Sequence, residues 1–170
     1  MIVIRDSTSN DMPAVRRIYN ALIPHTTGTW TEELQTLPQR HAWFRRQTHA
    51  GHPVLVAVDA EVVIGFASYG SFRGSGKWPG YRYTVEHTVH VAETHWGRGV
   101  GRSLMETLIE RARSADVHVM VGAIDSANTE SQRFHERLGF REVARMPETG
   151  RKFDRWLDLV LVQRILDTSV

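Results

Sequence analysis

His95-Trp96-Gly97-Arg98-Gly99-Val100-Gly101 is the segment that decides the fold, because it joins an apolar β-type run to an amphipathic helical run through alternating glycines. Glycine lets the backbone adopt positive φ and lets a ligand approach the main chain. The first amides of the following helix have no intrahelical acceptor, and the helix dipole adds partial positive charge there. The segment therefore predicts an anion site suited to phosphate.

The spacing of these glycines narrows the class of phosphate ligand. G-x-G-x-G is one residue shorter than the dinucleotide fingerprint, and G-x-x-x-x-G-K-[ST] occurs nowhere in the chain. Nicotinamide cofactors and ATP are therefore disfavoured. A tight connection without any ligand stays open on this pattern alone.

The length of the chain suits one domain, residues 1–170, and its charge balance does not point to nucleic acid. The 170 residues carry 21 Lys and Arg against 19 Asp and Glu with no basic block, so binding to nucleic acid is not expected. The chain has no cysteine, which excludes disulfides and a cysteine acyl-enzyme. The N-terminus reaches charge at Arg5, and no apolar run approaches the ~18 residues that cross a bilayer. We expect a cytoplasmic protein that does not bind membranes.

The hydrophobic periodicity predicts the element order β-α-α-β-β-β-α-β-α-β-β, without repeats or linkers. Two β-rich runs around Asp59-Ala60-Glu61 predict a hairpin. A long strand is predicted over residues 81–91, before the glycine segment, and a helix over 128–138, ended by Gly139. The last two strands are predicted over residues 140–146 and 156–165.

This order of motifs resembles the GNAT superfamily of N-acetyltransferases. The matching segments are Val85–Val91 before the turn and, after it, Val119–Ile124, Asn128 and residues 134–140. The resemblance implies an α/β GNAT fold, a single three-layer domain with a central mixed, mostly antiparallel sheet flanked by helices. It also implies acetyl-CoA as co-substrate, although His95 or Trp96 stands where Gln or Arg is usual. The implied cofactor-binding residues are Val89, His90, Val91, Trp96, Gly97, Arg98, Gly99, Val100, Gly101 and Asn128.

A narrower resemblance is to the phosphinothricin and methionine sulfoximine acetyltransferase family, through Thr84-Val85-Glu86-His87-Thr88 and matches scattered over the chain. In that family this Glu lies at the acceptor site and is a candidate base. Strand alternation places Glu86 on the face opposite His87. A solvent-facing carboxylate without a catalytic role is the alternative for Glu86.

The same family begins the loop before this strand with a Trp-Arg dipeptide, where Phe72-Arg73 stands in this chain. Arg73 would then pair bidentately with an acceptor's α-carboxylate, a geometry that lysine cannot match. The alternative is an exposed loop arginine. The loop over residues 74–80 is longer than in the family, which affects the size of the pocket. The implied substrate-binding residues are Phe72, Arg73, Glu86, His87 and Thr88.

His135 stands where many members of the superfamily place the tyrosine that protonates the departing thiolate. An imidazole titrates near neutrality and so suits that acid role, with an ordinary surface histidine as the alternative. Asn128 suits two roles. It can cap the following helix, and in the family it hydrogen-bonds the pantetheine arm.

A metal site and a serine hydrolase are both disfavoured. His87 and His90 are three residues apart on a strand and so face opposite sides, and H-E-x-x-H is absent. The nucleophile-elbow motif G-x-S-x-G is absent as well. We expect no metal.

The sequence as a whole predicts an acetyl-CoA-dependent N-acetyltransferase that modifies the α-amino group of a small amino acid or analogue. By resemblance the acceptors are methionine sulfone, methionine sulfoximine or phosphinothricin, with direct transfer in a ternary complex and a homodimeric enzyme. Two alternatives stay open. One is an acetyltransferase for a protein N-terminus, a polyamine or an aminoglycoside, and the other is a non-catalytic acyl-CoA-binding regulator.

Overall fold

A computed structural model describes residues 1–74 and 76–166, and its elements follow the predicted order. The helices in this part of the chain are α1 (Met12–Leu22), α2 (Leu37–His49), α3 (Val100–Ser114) and α4 (Thr129–Arg137). The strands are β1 (Val3–Asp6), β2 (Val54–Asp59), β3 (Val62–Ser71), β4 (Thr84–Val91), β5 (Val119–Asp125), β6 (Arg141–Lys152) and β7 (Arg155–Ile165). The hairpin predicted around residues 59–61 joins β2 to β3.

The strands form a seven-stranded sheet in the order β1-β2-β3-β4-β5-β7-β6. β4 and β5 are parallel, and the other described neighbours are antiparallel. β4 and β5 pair only where Thr84–Glu86 meets Val119–Val121. Beyond that point, residues 87–91 pair with β3 and residues 122–125 pair with β7, so the two strands separate. We call the opening between these two stretches the wedge.

Helices cover both faces of the sheet, as the predicted three-layer architecture requires. On one face, Leu104, Met105 and Leu108 of α3 join a large buried cluster that also contains Phe140. On the other face, α1 and α2 pack over a second cluster built around Phe66. Burying each such side chain stabilises the fold by about 1.5–3 kcal/mol relative to leaving it exposed.

A capping box starts α2 and fixes its direction. The Thr36 backbone amide donates to Gln39 Oε1 at 2.8 Å, and the Gln39 amide donates to Thr36 Oγ1 at 3.3 Å. Pro38 occupies the first turn, where its missing N–H has no partner to lose. The helix start is therefore set locally.

Two predicted strand boundaries are wrong. β4 begins at Thr84 rather than at residue 81, because Pro79–Tyr81 forms a 3₁₀ turn in which the Arg82 amide donates to the Pro79 carbonyl at 3.1 Å. β6 continues past residue 146 to Lys152. Pro147 is tolerated there because it lies at an irregularity in an edge strand, next to Glu148 with φ of 51°.

No helix among the described residues is long and apolar enough to span a membrane. Within the same residues, no three His, Asp or Glu side chains are grouped so that they would hold a metal ion. His87 and His90 face opposite sides of β4, as alternation predicts: His87 packs against Phe140 and His90 against Phe66.

Candidate active site

The glycine turn, Trp96–Gly101, lies at the open end of the wedge and leads into α3. Gly97 and Gly99 have φ values of 72° and 79°, a region that favours glycine. A Cβ atom built on either residue meets nothing within 4 Å, so both glycines border open space. The turn thus has the conformation and the room for a close backbone approach by a ligand.

Unused amide donors line this turn. Within the described residues, the amides of Gly97, Arg98 and Gly99 donate to no acceptor, and no side chain caps the start of α3. The Trp96 indole donates to the Val91 carbonyl at 2.7 Å and so fastens the turn to the end of β4. Free amides at a helix N-terminus fit the pyrophosphate of acetyl-CoA.

The rest of the predicted cofactor site lies along the wedge. The backbone of Val89, His90 and Val91 forms the β4 edge that β5 does not pair with, which suits the amide groups of a pantetheine arm. Asn128 caps α4 as predicted, since its Oδ1 accepts from the Ser131 amide at 3.0 Å. Its side-chain NH₂ has no partner among the described residues, and its contact with pantetheine stays a prediction.

A stacked pair of histidines, His87 and His135, lies beside the wedge. Their ring centroids are 5.0 Å apart with planes 27° from parallel, and burial lowers the pKa of both. A Cβ at position 122 would lie 2.8 Å from His87 Nε2, so Gly122 admits this ring. His135 is only 4% exposed, and the alternative of a surface histidine is therefore wrong.

The tautomer of His135 bears on its predicted acid role. Its Nδ1 donates to the Ser131 carbonyl at 2.7 Å, which leaves Nε2 with a lone pair. Nε2 is buried and has no hydrogen-bond partner in the described part of the chain. To act as an acid, His135 would have to gain a proton at Nε2 against the effect of burial, and this role stays a prediction.

Glu86, Thr88 and His90 form a polar strip on the β4 face toward α1 and α2, which we call the Glu86 face. Their partners on β3 are Gly70, Ser68 and Phe66 respectively. Gln47 of α2 closes one side, because its Nε2 donates to Ser68 Oγ at 2.7 Å and to the Tyr69 carbonyl at 2.8 Å. Tyr19 of α1 lies on the same face, with its ring centroid 5.7 Å from that of His90. Two strands and two helices therefore meet here.

Glu86 has the character expected of a general base. Its side chain reaches solvent, and partial desolvation by the surrounding protein raises the pKa of the carboxyl. A carboxylate with a raised pKa accepts a proton more readily near neutral pH than an ordinary one does. The geometry is consistent with the base role, which no contact in the structure tests.

Phe72 and Arg73 follow β3 at the Glu86 end of this face, since Ser71 pairs with Val85. Arg73 has φ of 50°, and its guanidinium lies 5.4 Å from the centre of the Tyr81 ring. It makes no ion pair within the described residues, and its carboxylate contact stays a prediction. The prediction of a longer loop includes Ser75, which lies outside the described residues.

Sequence reasoning missed Arg40, a buried arginine of α2. It is 3% exposed, and its guanidinium lies 4.5 Å from the Tyr19 ring and 4.7 Å from the Trp43 ring. Nε and Nη2 have no hydrogen-bond partner in the described chain, and burial lowers the Arg40 pKa to about 10. Burial together with the charge of Arg40 lowers the pKa of His90 to about 4. Its place three residues before the inward-facing Trp43 was the available signal.

Lys152 of β6 holds the segment between α1 and α2 in place beside the Glu86 face. The buried Lys152 Nζ donates to the carbonyls of Thr26 and Thr29, both at 2.7 Å. Thr29 in turn hydrogen-bonds the Tyr19 hydroxyl at 2.9 Å. A residue from the far end of the chain thus sets the position of a segment that borders the Glu86 face.

Comparisons with known proteins agree with this geometry. The model of the Acetyltransferase (GNAT) family matches residues 15–140. The L-methionine sulfoximine/L-methionine sulfone acetyltransferase of Pseudomonas aeruginosa is 46% identical, over 98% of this chain and 95% of that protein. Phosphinothricin N-acetyltransferase of Streptomyces coelicolor is 32% identical, over 97% of this chain and 96% of the other.

Among solved structures, yncA from Salmonella typhimurium with its cofactor acetyl-CoA is similar over the whole fold. The TM-score is 0.93 at 43% sequence identity, and the match covers 98% of this chain and 94% of that one. The predicted fold and the predicted family resemblance are both confirmed.

Proposed function

The chain belongs to the GNAT family of acetyltransferases, and we propose that it transfers the acetyl group of acetyl-CoA to the α-amino group of a small amino acid or analogue. Methionine sulfone, methionine sulfoximine and phosphinothricin are the proposed acceptors. The observation that carries the proposal is Glu86, a carboxylate of raised pKa on β4 at the point where the wedge opens. The similarity to amino-acid acetyltransferases supports the same conclusion.

The proposed reaction is direct transfer in a ternary complex. Glu86 accepts a proton from the acceptor's ammonium group, directly or through water, and so frees the nitrogen lone pair. The lone pair attacks the thioester carbonyl and forms the C–N bond, and the tetrahedral intermediate then expels the thiolate as the C–S bond breaks. The second proton that the nitrogen loses passes to the thiolate through solvent or through His135. Since the chain has no cysteine, no thiol of the protein is available for a covalent acetyl intermediate.

The glycine turn and the wedge hold the donor in this proposal. Amides of residues 97–101 bind the pyrophosphate, while the free β4 edge and Asn128 bind the pantetheine arm. Phe72, Arg73 and Thr88 form the acceptor site with Glu86, and His87 contributes only its backbone there, since its side chain packs on the opposite face of β4 against His135 and Phe140. We further propose a homodimeric, cytoplasmic enzyme that binds neither nucleic acid nor membranes, on the basis of family resemblance and composition.

An acceptor screen tests the proposal. Release of CoA thiol from acetyl-CoA is measured with methionine sulfone, methionine sulfoximine, phosphinothricin, polyamines, aminoglycosides and peptides as acceptors. We expect turnover with the amino acids and intersecting double-reciprocal plots. Activity restricted to polyamines, aminoglycosides or peptides would exclude the amino-acid assignment, and no turnover with any acceptor would favour a regulator. Parallel plots would indicate a covalent acetyl-enzyme.

The role of Arg73 has its own test. If it binds the α-carboxylate through two charge-assisted hydrogen bonds, removing that carboxylate from the acceptor lowers kcat/KM by roughly 30- to 1000-fold. Arg73→Ala should cause a similar loss, and the enzyme with both changes should lose little more. Equal discrimination against the decarboxylated acceptor in wild type and Arg73→Ala would dismiss Arg73 from this role.

A further inference from the structure

Arg40 carries a buried charge for which the described residues provide no acidic partner. Arginine is rarely this buried unless it is paired, because desolvation of an uncompensated charge is unfavourable. Its place in the first turn of α2 makes the charge still less favourable, since the helix dipole disfavours a cation there. The Tyr19, Trp43 and Phe66 rings offset part of this through cation–π contacts. They leave the hydrogen-bonding capacity of Nε and Nη2 unused.

The position of Arg40 relates it to the Glu86 face. Its guanidinium lies 5.7 Å from the centre of the Phe66 ring, and Phe66 is the β3 partner of His90. His90 lies four positions after Glu86 on the extended strand, which puts their Cα atoms about 13 Å apart at ~3.3 Å per residue. One end of the face thus carries a carboxylate and the other a guanidinium.

This separation decides which part of an acceptor would reach Arg40. The α-carboxylate of an amino acid is attached to the same carbon as its amine, so it must lie near Glu86, where Arg73 follows β3. An acceptor side chain that runs along β4 from Glu86 would bring its far groups toward His90. Sulfonyl, sulfoximine and phosphinate oxygens are hydrogen-bond acceptors, and a guanidinium binds such oxygens in a fork geometry.

We propose that Arg40 is a specificity-determining residue that binds the side-chain oxygens of an acceptor amino acid whose amine lies at Glu86. The inference rests on the proposed function and adds to it the reason for a preference for oxidised side chains.

The test compares methionine sulfone with methionine, which lacks the two oxygens, in wild type, Arg40→Met and Arg40→Lys. Wild type should prefer the sulfone by roughly 10- to 100-fold in kcat/KM, the size expected for a charge-assisted hydrogen bond. Arg40→Met should lose most of that preference through a higher KM for the sulfone. Arg40→Lys should lose part of it, because an ammonium lacks the planar fork. Arg46→Met, an exposed change on the same helix, is the matched control.

Acetyl-CoA affinity, measured by calorimetry, should be the same in all four proteins and reports intact folding of the other half of the site. A sulfone preference that survives both Arg40 changes would overturn the inference, as would a wild type that acetylates both acceptors equally. In either case the proposed amino-acid acetylation would stand. A wild type that acetylates no amino acid would instead overturn the proposed function and this inference with it.

Discussion

The glycine turn and the Glu86 face form two halves of one site, but they are built in different ways. The turn is a contiguous segment, and its binding groups are backbone amides whose geometry depends on positive φ at Gly97 and Gly99. The Glu86 face draws on α1, α2, β3 and β4 and is bordered by a segment that Lys152 of β6 fastens. Donor binding therefore depends on local backbone conformation, and acceptor selection depends on packing between distant parts of the chain.

The largest expected effect comes from breaking the donor half. Gly99→Val places a β-branched side chain at φ of 79° and fills the open space that borders the free amides. We expect acetyl-CoA affinity to fall by roughly 10³-fold, about the loss of two charge-assisted hydrogen bonds. Calorimetry on the folded variant is the measurement.

Gly51→Val is the matched control for this change. Gly51 has φ of 72°, its Cβ position is also open, and it lies between α2 and β2. It imposes similar backbone strain without approaching the turn, so acetyl-CoA affinity should stay at the wild-type value. An unchanged affinity in Gly99→Val would remove the turn from the donor site.

The next effect tests chemistry in the acceptor half. Glu86→Gln keeps the size of the side chain but cannot accept a proton, so kcat should fall by roughly 10²-fold or more, with acetyl-CoA affinity unchanged. In wild type, kcat/KM should decline as pH falls through the raised pKa of Glu86, at a higher pH than for an ordinary carboxyl group. This acid limb should be absent in the variant. A near-wild-type rate across pH would show that Glu86 is not the base.

Glu86→Gln should lower activity without lowering the stability of the fold. A folded-state pKa above the ordinary value means that ionised Glu86 destabilises the fold at neutral pH, and protonation relieves this at low pH. The melting temperature of Glu86→Gln at pH 7 should therefore equal or exceed that of wild type. A lower melting temperature would attribute lost activity to unfolding rather than to a missing base.

The difference between the two halves also explains which features could be predicted from the sequence and which could not. The glycine turn, the hairpin and the alternation of Glu86 and His87 follow from local rules, and the structure has them as expected. Arg40 was missed because its burial depends on Tyr19, from another helix, and on Phe66, from a strand. Local sequence assigns an arginine to the surface unless its face of the helix is known to point inward.

The strand boundaries failed for a related reason. β6 was predicted to end at residue 146, yet the strand continues through an irregularity, and residues 150–152 pair with the start of β7. The burial of Lys152 could not be predicted either. Its two carbonyl partners lie 126 and 123 residues earlier in the chain, in a segment without regular structure.

The smallest expected effect comes from removing the Lys152 hydrogen bonds that hold the segment between α1 and α2. Lys152→Met keeps an unbranched, apolar stem but leaves the Thr26 and Thr29 carbonyls without their donor, which should lower the free energy of unfolding by about 1–3 kcal/mol. Because the segment holds Tyr19 through Thr29, acceptor KM should rise by roughly three- to tenfold, with acetyl-CoA affinity unchanged. Arg151→Met removes an exposed ion pair with Asp154 and a long contact with the exposed Trp156 ring, and it should change stability by less than about 0.5 kcal/mol. If Lys152→Met weakened acetyl-CoA binding as much as acceptor binding, the two halves would not be separate, and the contrast between a locally built donor site and a packed acceptor site would fail.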